Sequence, residues 1–295
     1  VRPVRLWPPP RANNPMALTW PVIAAVLFGA LLHASWNALV KSSVHKDMDM
    51  AVINLIGSLL AIPMVAWFGW PDAKAWPFIA ATVVIHIGYY TALIGAYRHG
   101  DLGLTYPLMR GLAPLLVALS ATFTLGESLS TLAWAGVVGI SAGVLVLGLS
   151  SHARAAPKAI GFALTNALII AAYTVVDALG VRAAGNAMQY ISTLFLFTGW
   201  PFAVLMFAKH GRALGAYART RWPVATIGAS ASLASYGIAL WAMTRAPVAT
   251  IAALRETSVL FAVLLGAWFL KERFTPRRVI GTCVIVAGVM ALRLG

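Results

Sequence analysis

Ten apolar runs follow one another with little polar sequence between them, at about 18–40, 50–70, 76–97, 102–125, 131–149, 158–180, 188–208, 222–243, 248–270 and 276–294. Each is close to the ~20 residues that a helix rising ~1.5 Å per residue needs to cross ~30 Å of hydrocarbon. In lipid every backbone N–H and C=O must find its partner within the protein, and an isolated apolar run achieves that only as a helix. With 60% of residues hydrophobic and 10% charged, the chain has too little polar surface to cover a soluble globule. The expected fold class is therefore an all-α polytopic membrane protein of ten transmembrane helices. Trp20, Trp70, Trp76 and Trp222 stand at run ends, where an aromatic belt belongs.

The runs are duplicated. From Arg110 the chain reads RGLAPLLVALSATFTLGESLSTLAWAGVVGISAGVLVL, and from Arg255 it reads RETSVLFAVLLGAWFLKERFTPRRVIGTCVIVAGVMAL. A constant offset of 145 places Arg110 on Arg255, Glu127 on Glu272, Gly136 on Gly281, Gly143 on Gly288 and Thr105 on Thr250. Charged residues kept in register inside an apolar background mark an internal repeat. Carried backwards with small gaps, the match sets HASWNALVK (33–41) against IAAYTVVDA (170–178), with Trp36 opposite Tyr173. The blocks are thus 16–150 and 157–295, five runs each, preceded by a proline- and arginine-rich leader, 1–15, taken as disordered or non-native. Five is odd, so the second block enters the membrane from the opposite side, giving a 5+5 inverted repeat.

Loop charge supports this. Connections after odd-numbered runs carry most of the Lys and Arg, among them Lys41, Lys46, Arg98, Arg154, Lys209, Arg221, Lys271, Arg273 and Arg278; the even ones carry Lys74, Arg182 and Arg245. The positive-inside rule makes the odd connections cytoplasmic and both termini external, in a cell (inner) membrane. The net charge of +14 is distributed as topology-setting loop charge, with no basic face bearing stacking aromatics, so nucleic acid is not an expected partner. Cys283 stands alone in an apolar run and supports neither a disulfide nor a metal site.

Arg110 and Arg255 lie about 10–12 Å deep at ~1.5 Å per residue. A charge at a helix centre costs ~2.5–3.5 kcal/mol or more, so each needs a cavity or a partner. Approaching the midplane from opposite sides, two guanidiniums suit a carboxylate or phosphate handed between the halves. The alternative is a permanent ion pair, in which Glu256, unable to serve its own neighbour easily, pairs with Arg110. His33, Trp36, Asn37 and Lys41 form one stripe in run one; His86, Tyr90 and Tyr97 form another in run three; Asn166, Tyr173 and Asp177 share a face in run six. Together with Tyr106, Tyr236 and Trp241 these give the candidate substrate-binding set: His33, Trp36, Asn37, His86, Tyr90, Tyr106, Arg110, Tyr173, Tyr236, Trp241, Arg255 and Glu256. Interhelical hydrogen bonding is the competing reading for any one of the tyrosines. Proton coupling would need His33, His86, Asp177 or Glu256, although Asp177 and Lys41 stand near run ends, and exchange without protons is equally open. Glu127 and Glu272 end their runs and read as loop anchors. Glycine-rich runs five and ten read as supporting helices, and Pro63, Pro107 and Pro114 as kinks or breaks.

HASWNAL in run one, TYPLMRGLAPLL leading into GES, and SVLFAVLLGAWFLKERFTPRRVIGTCVIVAGVMAL together resemble the drug/metabolite transporter superfamily, EamA type, over essentially everything after Met16. The resemblance is strongest at the two E-x-[LF]-[ST] elements. It implies a ten-helix carrier of small organic metabolites with a substrate cavity between its halves, working as a monomer or homodimer without a cofactor. The rival class is an intramembrane enzyme. The eight acidic residues do not cluster as a prenyl transferase requires, and neither a GxSxG-type nucleophile turn nor a GxxxxGK[ST] loop occurs, so the chain reads as a non-enzyme without its own ATPase.

Overall fold

The computed structural model describes residues 18–41, 43–100, 102–148, 156–270 and 275–295, and its regular elements are helical throughout. In chain order they are α1 (Trp20–Lys41), α2 (Lys46–Phe68), α3 (Trp76–His99), α4 (Leu102–Thr124), α5 (Thr131–Gly148), α6 (Pro157–Ala183), α7 (Ala187–His210), α8 (Arg212–Met243), α9 (Val248–Arg255), α10 (Ser258–Leu270) and α11 (Pro276–Leu294). Among the described residues nine positions are long and apolar enough to cross a membrane, α9 and the start of α10 counting as one. The tenth is α11, whose ends carry Arg277, Arg278 and Arg293 and which packs along α5. The leader, Arg154, Glu272 with Lys271 and Arg273, and the side chains of Lys41 and Tyr97 lie outside the described residues.

Local chemistry sets the helix ends. Pro157 and Pro276 occupy first positions, where a missing N–H costs nothing. The Asn186 side chain accepts from Met188 N–H at 2.9 Å and starts α7. Gly211 alone joins α7 to α8, with φ of 57°, a conformation that a Cβ would strain. Within the spans, hydroxyls such as Ser35, Thr174 and Thr198 donate to carbonyls one turn back and so satisfy themselves without water.

The helix pairing is twofold. Helix α5 packs on its repeat-equivalent α11, and α2 on its equivalent α7; α3 on α6 is matched by α1 on α8, and α4 on α6 by α1 on α9 and α10. Equivalent helices run antiparallel. Gly136, early in α5, faces the carbonyl of Gly288, late in α11, while Gly143 faces that of Gly281. A Cβ built on these glycines would stand 2.8 and 2.9 Å from those oxygens, so glycine is what lets the two backbones touch. In the α2–α7 pair, Asp47 meets Lys209 at 2.9 Å at one end, and Gln189 donates to the Phe68 carbonyl at 2.9 Å at the other. The chain is therefore a 5+5 inverted repeat.

The connections sort into two faces. On one, the α1–α2 and α7–α8 connections meet: Arg221 pairs with Asp49 at 3.0 Å and Tyr217 donates to the same carboxylate at 2.8 Å. On the other, Asp72 N–H reaches the Ala184 carbonyl at 3.4 Å, and Arg182 pairs with Glu127 at 2.8 Å. Both oxygens of Glu127 are used, the second accepting from Val248 N–H at 2.8 Å at the start of α9. Arg182 also donates to the Met243 carbonyl at 2.9 Å, so Glu127 ties together the ends of α4, α6, α8 and α9.

Three features depart from the sequence expectation. Helix α8 starts at Arg212 instead of 222, because Leu214, Tyr217 and Ala218 give RALGAYARTR an apolar face that packs near Val40 and Ala51. Hydropathy finds spans; it overlooks such a charged amphipathic lead-in. Pro107 and Pro114 do not break α4, nor Pro63 α2. The interruption falls instead in run nine, at Glu256–Thr257. There Glu256 N–H bonds to the Ala253 carbonyl, Thr257 N–H to that of Leu254, and Val259 N–H to that of Glu256, all at 3.0–3.1 Å. These are i to i+3 bonds, a 3-10 step inside a spanning helix, and the Thr257 hydroxyl takes the Leu254 carbonyl as well, at 2.7 Å. Irregular backbone at this depth requires protein around it. Val248, Ile251, Ala253 and Leu254 are fully buried, so it has that protection.

Candidate functional site

The two halves meet through charge at the interrupted helix. Arg110 Nε on α4 lies 2.9 Å from Glu256 Oε2 immediately after α9, with side-chain exposures of 9% and 6%. Arg110 Nη2 has no hydrogen-bond partner among the described residues. The 3-10 step accounts for the pairing: Glu256 turns away from its neighbour Arg255 and towards the other repeat. Arg255 places its guanidinium 4.9 Å above the ring of Tyr236 on α8. Among the described residues no carboxylate forms an ion pair with it, so two cations and one anion stand at the junction of the repeats.

Aromatic rings border this charge. Tyr236 is 6.2 Å from Tyr173 on α6, and Tyr173 is 4.9 Å from His86 and 6.1 Å from Tyr89, both on α3. Tyr90 stacks on Phe202 at 4.3 Å. Tyr106 packs in the same cluster as Tyr173 and Tyr236, one turn before Arg110. On α1, His33 and Trp36 meet edge to face at 5.4 Å, and the Trp36 Nε1 donor is buried without a hydrogen-bond partner among the described residues. Asn37 spends its amide on the His33 carbonyl at 2.7 Å. Trp241 stands apart, its ring 4.8 Å beneath the guanidinium of Arg245 near the end of α8. The structure thus gathers Arg110, Glu256, Arg255, Tyr236, Tyr173 and His86 into one chain of contacts. It leaves Trp241 outside.

Asp177, a candidate for proton coupling although it stands near a run end, lies inside the protein. Its side chain is fully buried and accepts from Thr82 Oγ1 on α3 at 2.6 Å, from Tyr190 OH on α7 at 2.9 Å, and from Tyr236 OH on α8. Tyr236 is therefore shared, its hydroxyl on Asp177 and its ring under Arg255. Sequence reasoning passed over Thr82, Tyr89 and Tyr190. The signal for Asp177 was available, since it continues the Asn166–Tyr173 face of α6, on which Asn166 Nδ2 donates to the Tyr89 carbonyl at 3.0 Å. Ending the span at 180 hid its depth, because α6 runs to Ala183 and turns Arg182 inward. Among the described residues no three His, Cys, Asp or Glu side chains gather as a metal site would require.

No curated protein matches the chain in sequence. A solved crystal structure of a protein superposes over 93% of this chain and 96% of its own, with a TM-score of 0.72 at 19% identity, a likeness of fold alone. The model of the EamA-like transporter family matches twice, over 19–149 and 157–294, one match to each of the antiparallel blocks that meet at Arg110 and Glu256. Matched across both halves, this chain belongs to the EamA-like transporter family, within the drug/metabolite transporter superfamily, and is a multi-pass membrane transporter.

Proposed function

We propose that the chain is a secondary transporter of small organic anions or amino acids, working by alternating access between its inverted halves, in the cell (inner) membrane. One observation carries the reading: an arginine inside the bilayer, Arg255, whose guanidinium lies against an aromatic face and has no paired carboxylate among the described residues. A half-buried cation inside the bilayer that is left with a weak partner is costly unless a ligand supplies the missing charge. A solute carboxylate can lie bidentate on Arg255 and take the unspent Nη2 of Arg110, drawing that guanidinium from Glu256. Tyr236, Tyr173, Tyr106 and His86 supply amphipathic walls for the remainder of a metabolite, and His33, Trp36 and Tyr90 extend them. Exchange of Arg110 between Glu256 and the solute gives the halves two alternative contacts to rock between.

The test is a thermal-shift screen of the purified full chain in detergent against amino acids, organic acids and their neutral amides. Binding to the folded state stabilises by about 2.7 kcal/mol at a hundredfold excess over Kd, enough to move the melting point by several degrees. Acids should raise it and amides should not, and Arg255→Gln should abolish the response while leaving the ligand-free melting point nearly unchanged. An equal response to amides, or a full response in Arg255→Gln, overturns the reading.

A further inference from the structure

Asp177 is a buried carboxyl group separate from the Arg110–Glu256 pair, and, unlike Asp49, Glu127 and Glu256, it has no cation in an ion pair with it among the described residues. Three hydroxyls hold it, from Thr82, Tyr190 and Tyr236, each on a different helix. We propose that Asp177 with these three hydroxyls is a proton-binding site, and that its occupancy decides whether Tyr236 holds Arg255 in place. The purpose rests on the transport reading above; the chemistry does not.

Hydroxyl ligands are what such a site requires. A backbone N–H can only donate, and so would lock a carboxylate in its ionised form. A hydroxyl donates to a carboxylate and, after rotating, accepts from a carboxylic acid. When a proton binds the oxygen that faces Tyr236, the new O–H donates to the phenol oxygen and the phenol hydrogen must turn elsewhere. No other bond is made or broken, and the site gains one positive charge. An ionised carboxylate with no paired cation in a low-dielectric interior is expensive, so the neutral form is within reach. The titratable and charged groups around the site are His86 on α3, Tyr173 on α6 itself, Tyr190 on α7, Tyr236 on α8, and, beyond Tyr236, Arg255, Glu256 and Arg110. His86 Nδ1 lies 2.9 Å from the Thr82 carbonyl, which can only accept. That nitrogen therefore carries the hydrogen, and in the neutral ring the basic lone pair is on Nε2. Tyr236 passes the state of Asp177 to the solute site because Arg255 rests on its ring, next to the 3-10 step.

The experiment uses protons as the probe, on the full chain in lipid vesicles. Infrared difference spectra recorded between about pH 5 and pH 8 should show a protonated-carboxyl carbonyl band that is lost as pH rises and is absent from Asp177→Asn. Over the same range, hydrogen–deuterium exchange in 248–262, corrected for intrinsic rates, should change in the wild type and stay constant in Asp177→Asn. Tyr236→Phe removes one hydroxyl and keeps the ring; it should displace the midpoint of the band, and serves if Asp177→Asn does not fold. Absence of any titrating carboxyl band, an unmoved midpoint in Tyr236→Phe, or a titrating band with unresponsive exchange in 248–262 overturns the proposal. Arg255→Gln separates the two readings: the band should persist in it while the pH response of 248–262 is lost. If no anion binds at Arg255 yet the band titrates and 248–262 responds, the solute reading falls and the proton site stands.

Discussion

Removing Glu256 should harm the protein more than removing Arg110. At 2.9 Å and an effective dielectric of about 20, two unit charges attract by about 6 kcal/mol before desolvation is counted. Taking away one member of a buried pair typically costs ~3–5 kcal/mol, because the other is left uncompensated. The two deletions are not equivalent here. In Arg110→Gln, Glu256 loses its ion pair but keeps the longer-range attraction of the Arg255 charge, so the loss should be near ~3 kcal/mol. In Glu256→Gln two guanidiniums remain at the junction with no carboxylate in direct contact among the described residues, and the loss should approach ~5 kcal/mol. The double variant should cost less than the sum by ~2–3 kcal/mol, the coupling expected of direct partners. Equilibrium unfolding of the purified chain in mixed micelles, followed by tryptophan fluorescence, gives all three values. Additivity within ~0.5 kcal/mol, or Arg110→Gln as the more damaging change, would refute the account of how charge is balanced at this site.

The glycine seam makes a sharper local claim. Gly136→Val and Gly288→Val should each lower stability by ~1–3 kcal/mol, since a Cβ would meet backbone at 2.8–2.9 Å, whereas Gly139→Ala, with 3.5 Å to the Gly288 Cα, should be close to neutral. Glu127→Gln should cost less than Glu127→Ala, because the amide still accepts from Val248 N–H while losing only the Arg182 pair; exchange protection of the first amides of α9 should fall in the alanine variant alone. In a Cys283→Ser background, cysteines at Ser43 and Arg219 should react with an impermeant thiol reagent from one side of sealed vesicles, and cysteines at Asp72 and Ser128 from the other. Labelling of Ser43 and Asp72 positions from the same side would contradict the topology.

Much of this architecture is legible in the sequence because the repeat carries charges. Arg110 and Arg255 fix the register, and Gly136, Gly143, Gly281 and Gly288 extend it to the two helices that prove to lie antiparallel. The partner of Arg110 was legible for a stereochemical reason: adjacent helical side chains point ~100° apart, so Glu256 had to look away from Arg255. The site of the helix break was not. Proline is the visible breaker, and α4 carries two of them without interruption, whereas run nine yields at Glu256–Thr257, where a hydroxyl and a buried ion pair redirect the backbone. Such tertiary causes leave no periodicity to read. The Asp177 cluster was missed for a related reason, since its ligands come from three helices far apart in sequence.

The residue that corresponds to Glu256 in the first block is Gly111, and α4 runs straight through where its counterpart steps. Two identical inverted blocks would make the outward-open and inward-open forms of an alternating-access carrier equivalent by a twofold rotation and equal in free energy, and the empty carrier would dwell equally in each. An acid and a 3-10 step present in one block only remove that degeneracy. Under the alternating-access proposal the empty protein then has a preferred side to wait on, and giving Gly111 an acid or depriving position 256 of its own should even out the two populations.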